Sequence, residues 1–567
     1  MKKISSTFVF SAILLCLHLL TFAQDYTYYN NLAKEEYDKK KYNNVIDYAN
    51  KSLNASRNGA AYWYRGMARY YLNNYTDAAD DFTNAISYYS SDNSSLGNLY
   101  YWRALCRYGQ ENYKLALPDF ESANSYGYEN NKSNMYWTMA YCYYKTGDYK
   151  QSEEFYTSAM NYTSDNSILA QLYKGRGDIK YDLFKIKDAI NDYIKAIQYD
   201  PGYSNAFWAR AIARAANLEY DLAVGDYTSA INIVERNSKT GSENDLSILY
   251  SNRGWNQYRS GKYDEGKADL QKSLNINPNY DIGNRNMGDV LDKQKNYKEA
   301  IRYYLRAASL YSRDADRASC YRSLYFCSLK MLDYTQALSY INSAIKIDPE
   351  YGSYYSDRAH VYSAKKNYAA TLADYSKTIE YYTNDKYDIY KNTRIGLYSA
   401  RAQVKIKMKD NTGALTDLQE AVKEDTFYYD SFYELGRFYK QVLKQNDKAS
   451  ANLQKAAEMS IVKGDTTSSY AYAKLIKGDK QEAFGVMARL IKKVMEDKER
   501  LKWEYHNAAC IYALAGDSAK AFQFLDKSFV AGYDDYDHLI NDRDLESLMH
   551  LPQWKVILTK YKVPQPK

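Results

Sequence analysis

The pair best placed for chemistry is His506 and Cys510. Four residues apart, they share one face of a helix, a spacing that suits half a metal site or a Cys–His nucleophile. His360, His538 and His550 stand apart from them in sequence. Cys106, Cys142, Cys327 and Cys510 recur at equivalent places in a repeated pattern, where a small apolar side chain packs, so packing is their expected role. The chain contains no His-Glu-x-x-His, Gly-x-Ser-x-Gly, Walker loop or Cys-x-x-Cys. Its carboxylates follow the repeat period instead of gathering in one place. No catalytic residue, metal ligand or cofactor is therefore expected, and the candidate chemistry is that of recognition.

The elements that position these residues come from composition and period. With 567 residues the chain exceeds one ordinary core, yet it has only 7 Pro and 25 Gly, with 46% hydrophobic residues and 67 Tyr. So few breakers point to helices joined by short turns. The 76 basic and 69 acidic residues nearly balance at a net +7, which leaves no nucleic-acid footprint. Met1 to Ala23 reads as a secretory signal, with Lys2 and Lys3 before an apolar run and Thr21-Phe22-Ala23 at the cleavage site. The expected mature chain is exported, soluble, without a membrane span, and periplasmic or envelope-associated. Five sparse cysteines remain after Cys16, and free, packed thiols are expected.

A central, mostly small position recurs fourteen times between Val45 and Ala521, about every 37 residues, and in many units an aromatic such as Phe82, Phe120, Tyr156 or Tyr193 follows it. Twelve residues earlier sits a second small position (Ala33, Gly66, Ala104, Gly177), and seven later a third (Ala85, Ala123, Ala196). Small residues at three fixed points let two antiparallel helices approach closely and let one pair pack on the next. The segment Tyr62 to Ile86 carries most signature positions of one unit. In this it resembles the tetratricopeptide repeat family, over nearly all of the mature chain. The resemblance implies an all-α, right-handed superhelical solenoid of about 14 antiparallel helix pairs with a C-terminal capping segment. The expected divisions are a signal at 1–23, repeats 1–6 at 24–235, repeats 7–12 at 236–460, repeats 13–14 at 461–530 and a cap at 531–567. Within the cap, Leu545, Leu548, Leu551, Trp554 and Ile557 offer an apolar stripe to cover the last repeat. Departures are Tyr325 at a normally small position, one extra residue between Gly436 and Ala449, and an interruption at Gly464 to Ser469. The longer joints, 237–245 and 383–388, are expected to be exposed loops.

Arginine stands just before the first-helix small residue at Arg65, Arg103, Arg176, Arg210, Arg253, Arg358 and Arg401. Sixteen residues on, in the second helix, stand Asp81, Asp119, Asp192, Asp226, Asp269, Asp374 and Asp417. Where the first position is apolar, as at Met139 or Leu324, the second is aromatic, Phe155 or Tyr340. Charge goes with charge, so these are expected to be structural ion pairs between the two helices of each unit.

The resemblance also implies that first helices line a concave groove. The positions facing it hold Trp63, Tyr70, Tyr101, Tyr108, Trp137, Tyr144, Trp208 and Trp255. Trp63, Tyr101, Trp137 and Trp208 are expected to be partly exposed there as rigid anchors for a protein or peptide partner. Glycan binding on the same aromatic platforms is the alternative. The family's clamp for C-terminal carboxylates needs Lys and Asn at positions that here hold Asn30, Lys34, Tyr64, Asn98 and Trp102, a departure from that use.

Overall fold

The computed structural model describes residues 26–89, 91–237, 243–384, 391–424, 429–462 and 468–564. The expected signal at 1–23 lies outside them, as do 238–242 and 385–388 of the two longer joints and 464–467 of the expected interruption. Among the described residues every regular element is helical and no strand occurs. The chain divides into two compact units, Met1–Lys262 and Tyr263–Lys567.

In the first unit, a helix over 26–38 pairs with Tyr42–Ala55, Gly59–Tyr71 with Tyr75–Ile86, and Asn93–Gly109 with Tyr113–Ser125. The pairs continue through Ser204–Ala216 and Tyr220–Arg236, and the unit ends on Glu243–Arg259. In the second unit the pairs run from Asp281–Lys293 with Tyr297–Leu310 to Lys498–Leu514 with Ser518–Val530. The helix pairs form because the small residues fall where helices must touch. Val45, Ala78, Ala116, Ser152, Ala189, Ala223, Ala300, Ala337, Ala414 and Ala521 are all fully buried. At Gly177 an added Cβ would lie 2.6 Å from the Tyr193 ring, so the close approach itself requires glycine.

The turn inside each pair leaves a signature. Among the described residues one left-handed residue marks it fourteen times, at Lys40, Asn73, Glu111, Gly147, Phe184, Leu218, Gly261, Lys295, Leu332, Lys366, Lys409, Lys444, Gly478 and Gly516. Glycine takes only four of these places; the others hold residues with a Cβ that strains this conformation by about 1 kcal/mol. Packing of the flanking helices outweighs that cost.

The C-terminal stripe closes the stack. Leu545, Leu548, Trp554 and Ile557 are buried against Leu525 and Phe529 of the last pair. Tyr325, which replaces a small residue, is itself buried and donates its hydroxyl to the Asp357 carbonyl at 2.9 Å.

Candidate binding surface

The first helices are fixed to their partners by repeated charge hubs. Arg103 grips Asp119 with Nε at 2.8 Å and Nη2 at 2.6 Å. The same two-point contact joins Arg176 to Asp192, Arg210 to Asp226, Arg358 to Asp374 and Arg401 to Asp417, and Arg65 reaches Asp81 at 2.7 Å. Arg253 and Asp269 fall on opposite sides of the division between the units.

Each hub holds more than a pair. In five of these six hubs a second cation four residues on, Arg69, Arg107, Lys180, Arg214 or Lys405, contacts the same carboxylate at 2.6–2.8 Å; after Arg358 that place holds Tyr362. An aromatic ring three residues before the arginine (Tyr62, Tyr100, Tyr173, Phe207, Tyr355 or Tyr398) lies 5.1–5.6 Å from its guanidinium. In Arg65, Arg103, Arg176, Arg358 and Arg401 the remaining guanidinium nitrogen reaches the second helix of the preceding pair, as Arg103 does to Thr83 and Arg401 to Ser376. One arginine thus ties three helices, and these residues are committed to the frame.

The aromatic stripe departs from its expected form at one position, Tyr101. Trp63, Trp137, Trp208 and Trp255 are half-buried, as are Tyr70, Tyr108 and Tyr144. Tyr101 is not exposed: it is only 3% accessible, stacked on Tyr128 at 4.2 Å and edge-on to Phe120 at 6.1 Å. The chain turns at Gly127 with φ of 75°, and this brings Tyr128 back over the position that would otherwise face outward. The other rings form a ladder between successive first helices. Tyr37 meets Trp63 at 5.7 Å, Tyr70 meets Trp102 at 5.1 Å and Tyr108 meets Tyr141 at 5.8 Å. Trp255 stacks on Tyr258 within its own helix at 4.9 Å. Their edges therefore form a surface while their faces hold the frame together. Burial pushes the Tyr70 hydroxyl up to about 12; burial and then a hydrogen bond to Asp182 do the same for Tyr144.

One stretch of this face is a cleft of about 450 Å³, walled by Tyr144, Lys174, Asp178, Tyr181, Trp208 and Ile212. Asp178 accepts from Lys174 at 2.7 Å and from the Tyr193 hydroxyl at 3.0 Å, and burial raises its carboxyl against both. The Trp208 indole N–H is buried without a hydrogen-bond partner among the described residues. Apolar walls, a fixed charge pair and an unspent donor are the ingredients of a recognition site.

In the second unit the chain itself covers the first-helix face. Asp537 accepts from the Tyr334 hydroxyl at 2.8 Å and pairs with His360. Asp544 meets Arg437 at 2.5 Å, Arg543 bonds Gln403, and Asp534 pairs with Lys295 at 3.2 Å. Tyr536 and Ile540 pack on the cluster around Tyr325 and Val361. The sequence pattern assigns this segment to the last repeat alone; the structure adds contacts reaching back to residue 295.

His506 and Cys510 are buried on the helix Lys498–Leu514, and all five described cysteines are free and buried. Burial and the neighbouring Asp542 hold the Cys510 thiol well above its ordinary range. The spacing did not reveal that His538 and Asp542 close on the same point.

Stacked helix pairs with small residues at fixed crossing points define a helix-pair repeat protein. Residues 60–126, 133–166 and 252–315 match the family described as tetratricopeptide repeat, and these stretches carry such repeats. The chain is 28% identical over 118 residues to anaphase-promoting complex subunit 3 of Schizosaccharomyces pombe, across 20% of this chain and 16% of that protein. It is 21% identical over 245 residues to the Hsp70-Hsp90 organizing protein of Triticum aestivum, across 38% of this chain and 41% of that protein. It thus spans less than half the length of either curated relative. Among solved structures, the C-terminal part of a tetratricopeptide repeat-containing protein from Cytophaga hutchinsonii matches at 16% identity, covering 45% of this chain and 97% of that one, with a TM-score of 0.37. YrrB, described as having an unusual peptide-binding site, matches at 19% identity, covering 33% and 91%, with a TM-score of 0.29. No helix among the described residues is long and apolar enough to cross a membrane.

Proposed function

We propose that this chain is a non-catalytic binding scaffold of the bacterial cell envelope that captures a protein or peptide segment on the first-helix face of its N-terminal unit. The observation that carries the reading is the cleft at Tyr144, Tyr181 and Trp208, where half-buried rings adjoin a fixed Lys174–Asp178 pair and an unpartnered indole N–H. Rigid rings contribute contact area at low entropic cost, and the polar groups fix the register of a bound segment. The corresponding face of the C-terminal unit is covered by residues 534–544. A relative named for organising Hsp70 and Hsp90 is consistent with a scaffold role. Export rests on the signal-like composition of residues 1–23.

A displayed library of random peptides, selected on the full chain and counter-selected on Trp208→Ala, tests the reading. Enriched peptides should lose at least tenfold affinity for Trp208→Ala and bind neither cell-wall glycan competitors nor the denatured chain. Selection of no peptide, together with retention of the chain on purified cell-wall polysaccharide, would replace the peptide reading by the glycan one.

A further inference from the structure

The C-terminal unit holds a cluster that the binding face does not use. His506 sits on the helix Lys498–Leu514, His538 on the short helix Tyr536–Asn541, and Asp542 caps the turn Arg543–Leu545. Asp542 directs its two oxygens to different tasks. Oδ1 accepts from the Asp544 backbone N–H at 2.8 Å, which fixes the carboxylate. Oδ2 points at His506 Nε2 (2.8 Å), the Cys510 thiol (3.3 Å) and His538 Nε2 (3.6 Å). The two imidazole nitrogens and the carboxylate oxygen all lie within 4.8 Å of one another.

We propose that His506, His538 and Asp542 form a site for a divalent first-row transition cation of the zinc type, with its fourth position open to solvent. Two imidazoles and one carboxylate are a donor set such ions accept, and bonds of about 2.0–2.2 Å arranged tetrahedrally put neighbouring donor atoms about 3.3–3.6 Å apart. The separations of 2.8 and 3.6 Å from Asp542 straddle that spacing, so a small turn of the Asp542 carboxylate away from His506 and a rotation of exposed His538 complete it. The surroundings also fit. The Tyr533 ring lies flat on His506, with centroids 4.6 Å apart and planes 1° apart, and Trp503 abuts both imidazoles at 6.1 and 5.6 Å. Together they hold the His506 ring in place and shield one side from water. His538, 48% exposed, lines a cavity of about 640 Å³ together with Trp503 and Asp535, and this gives an ion its access. A ligating imidazole binds a metal through a nitrogen that carries no proton, so metal binding competes with protons and weakens in acid. His506 Nδ1 has no hydrogen-bond partner among the described residues, so the usual outer support for a ligating imidazole is missing and the affinity is reduced about 10–100-fold from that of a fully supported site. Bound metal would pin the segment carrying His538 and Asp542 to the last helix pair.

The test uses the full-length chain without a histidine tag, titrated with Zn²⁺ by calorimetry and with Co²⁺ by visible absorption. The expected result is one equivalent per chain with a Kd of about 1–50 µM, a rise in Tm with Zn²⁺, and loss of affinity below about pH 6. His538→Gln, at an exposed position, should keep the helical circular dichroism spectrum and lose at least about tenfold in affinity. Cys510→Ser should retain binding. No stoichiometric binding below about 100 µM, or equal binding by the wild type and His538→Gln, would overturn the proposal.

Discussion

Two neighbouring hubs in the C-terminal unit separate the contribution of one arginine from that of a charge network. Asp417 is gripped by Arg401 and also by Lys405 Nζ at 2.8 Å. Asp374 is gripped by Arg358 through Nε at 2.8 Å and Nη2 at 2.7 Å. Four residues beyond Arg358 stands Tyr362, whose ring lies 5.6 Å from that guanidinium and supplies no second charge to the aspartate. Both carboxylates are buried, so stranding either is costly. Removing one partner of a buried pair costs about 3–5 kcal/mol, and Arg358→Leu should pay all of it. Arg401→Leu leaves one cation in place and should cost about 2 kcal/mol, since a charge-assisted hydrogen bond contributes about 1.5–3 kcal/mol. Arg358→Leu with Asp374→Tyr copies Leu324 and Tyr340 of the preceding pair and should recover most of the loss. The assay is hydrogen exchange by mass spectrometry on the full chain. It reads local opening of the helices Gly352–Ala364 and Lys391–Lys407 without requiring two-state unfolding of a repeat array. Equal losses for the two single variants would refute the role assigned to Lys405. Strict additivity in the Arg358–Asp374 cycle would refute the contact itself.

Packing and backbone give further expectations. Gly177→Ala forces a Cβ to within 2.6 Å of Tyr193 and should cost about 1–3 kcal/mol, whereas Gly225→Ala meets nothing within 4 Å and should gain up to about 1 kcal/mol in urea titration. Phe184 is left-handed and almost wholly exposed, so Phe184→Gly should raise Tm by relieving about 1 kcal/mol of strain, with an unchanged spectrum. The His360–Asp537 contact should depend on pH. Burial alone would lower His360, but the hydrogen bond and charge of Asp537 outweigh it and raise the imidazole; burial alone would raise Asp537, and His360 outweighs it to lower the carboxyl. A raised histidine stabilises fully below its unfolded value near 6.5 and loses that stability as pH rises through the folded value. A lowered aspartate stabilises above its unfolded value near 4 and loses it on acidification. Exchange protection of 536–541 should therefore be greatest between about pH 4.5 and 6.5 and fall several-fold by pH 8.5; a flat profile would remove the pair from the docking contact.

What was legible in the sequence is what the chain repeats. The fourteen small positions, the Arg–Asp register and even the second cation at Arg69, Arg107, Lys180, Arg214 and Lys405 can each be checked against another copy within the same chain. Repetition is the reason: a contact between two helices of one unit has a fixed spacing, here 16 residues, and recurs wherever the unit does. Tyr101 broke the rule through a local event, the left-handed Gly127 that folds Tyr128 onto it, and the Tyr126-Gly-Tyr128 triplet is the signal that marks it. The docking of residues 534–544 left no such mark. Its partners lie 203 residues away at Tyr334 and 177 at His360, and each contact is made once. Nothing internal to the chain fixes a spacing used a single time, so only the folded structure brings Asp537 to His360 and Asp542 to His506. For the same physical reason the two surfaces differ in kind: the aromatic face extends a repeated feature, while the His506–His538–Asp542 cluster exists only where the repeats end and a unique segment folds back on them.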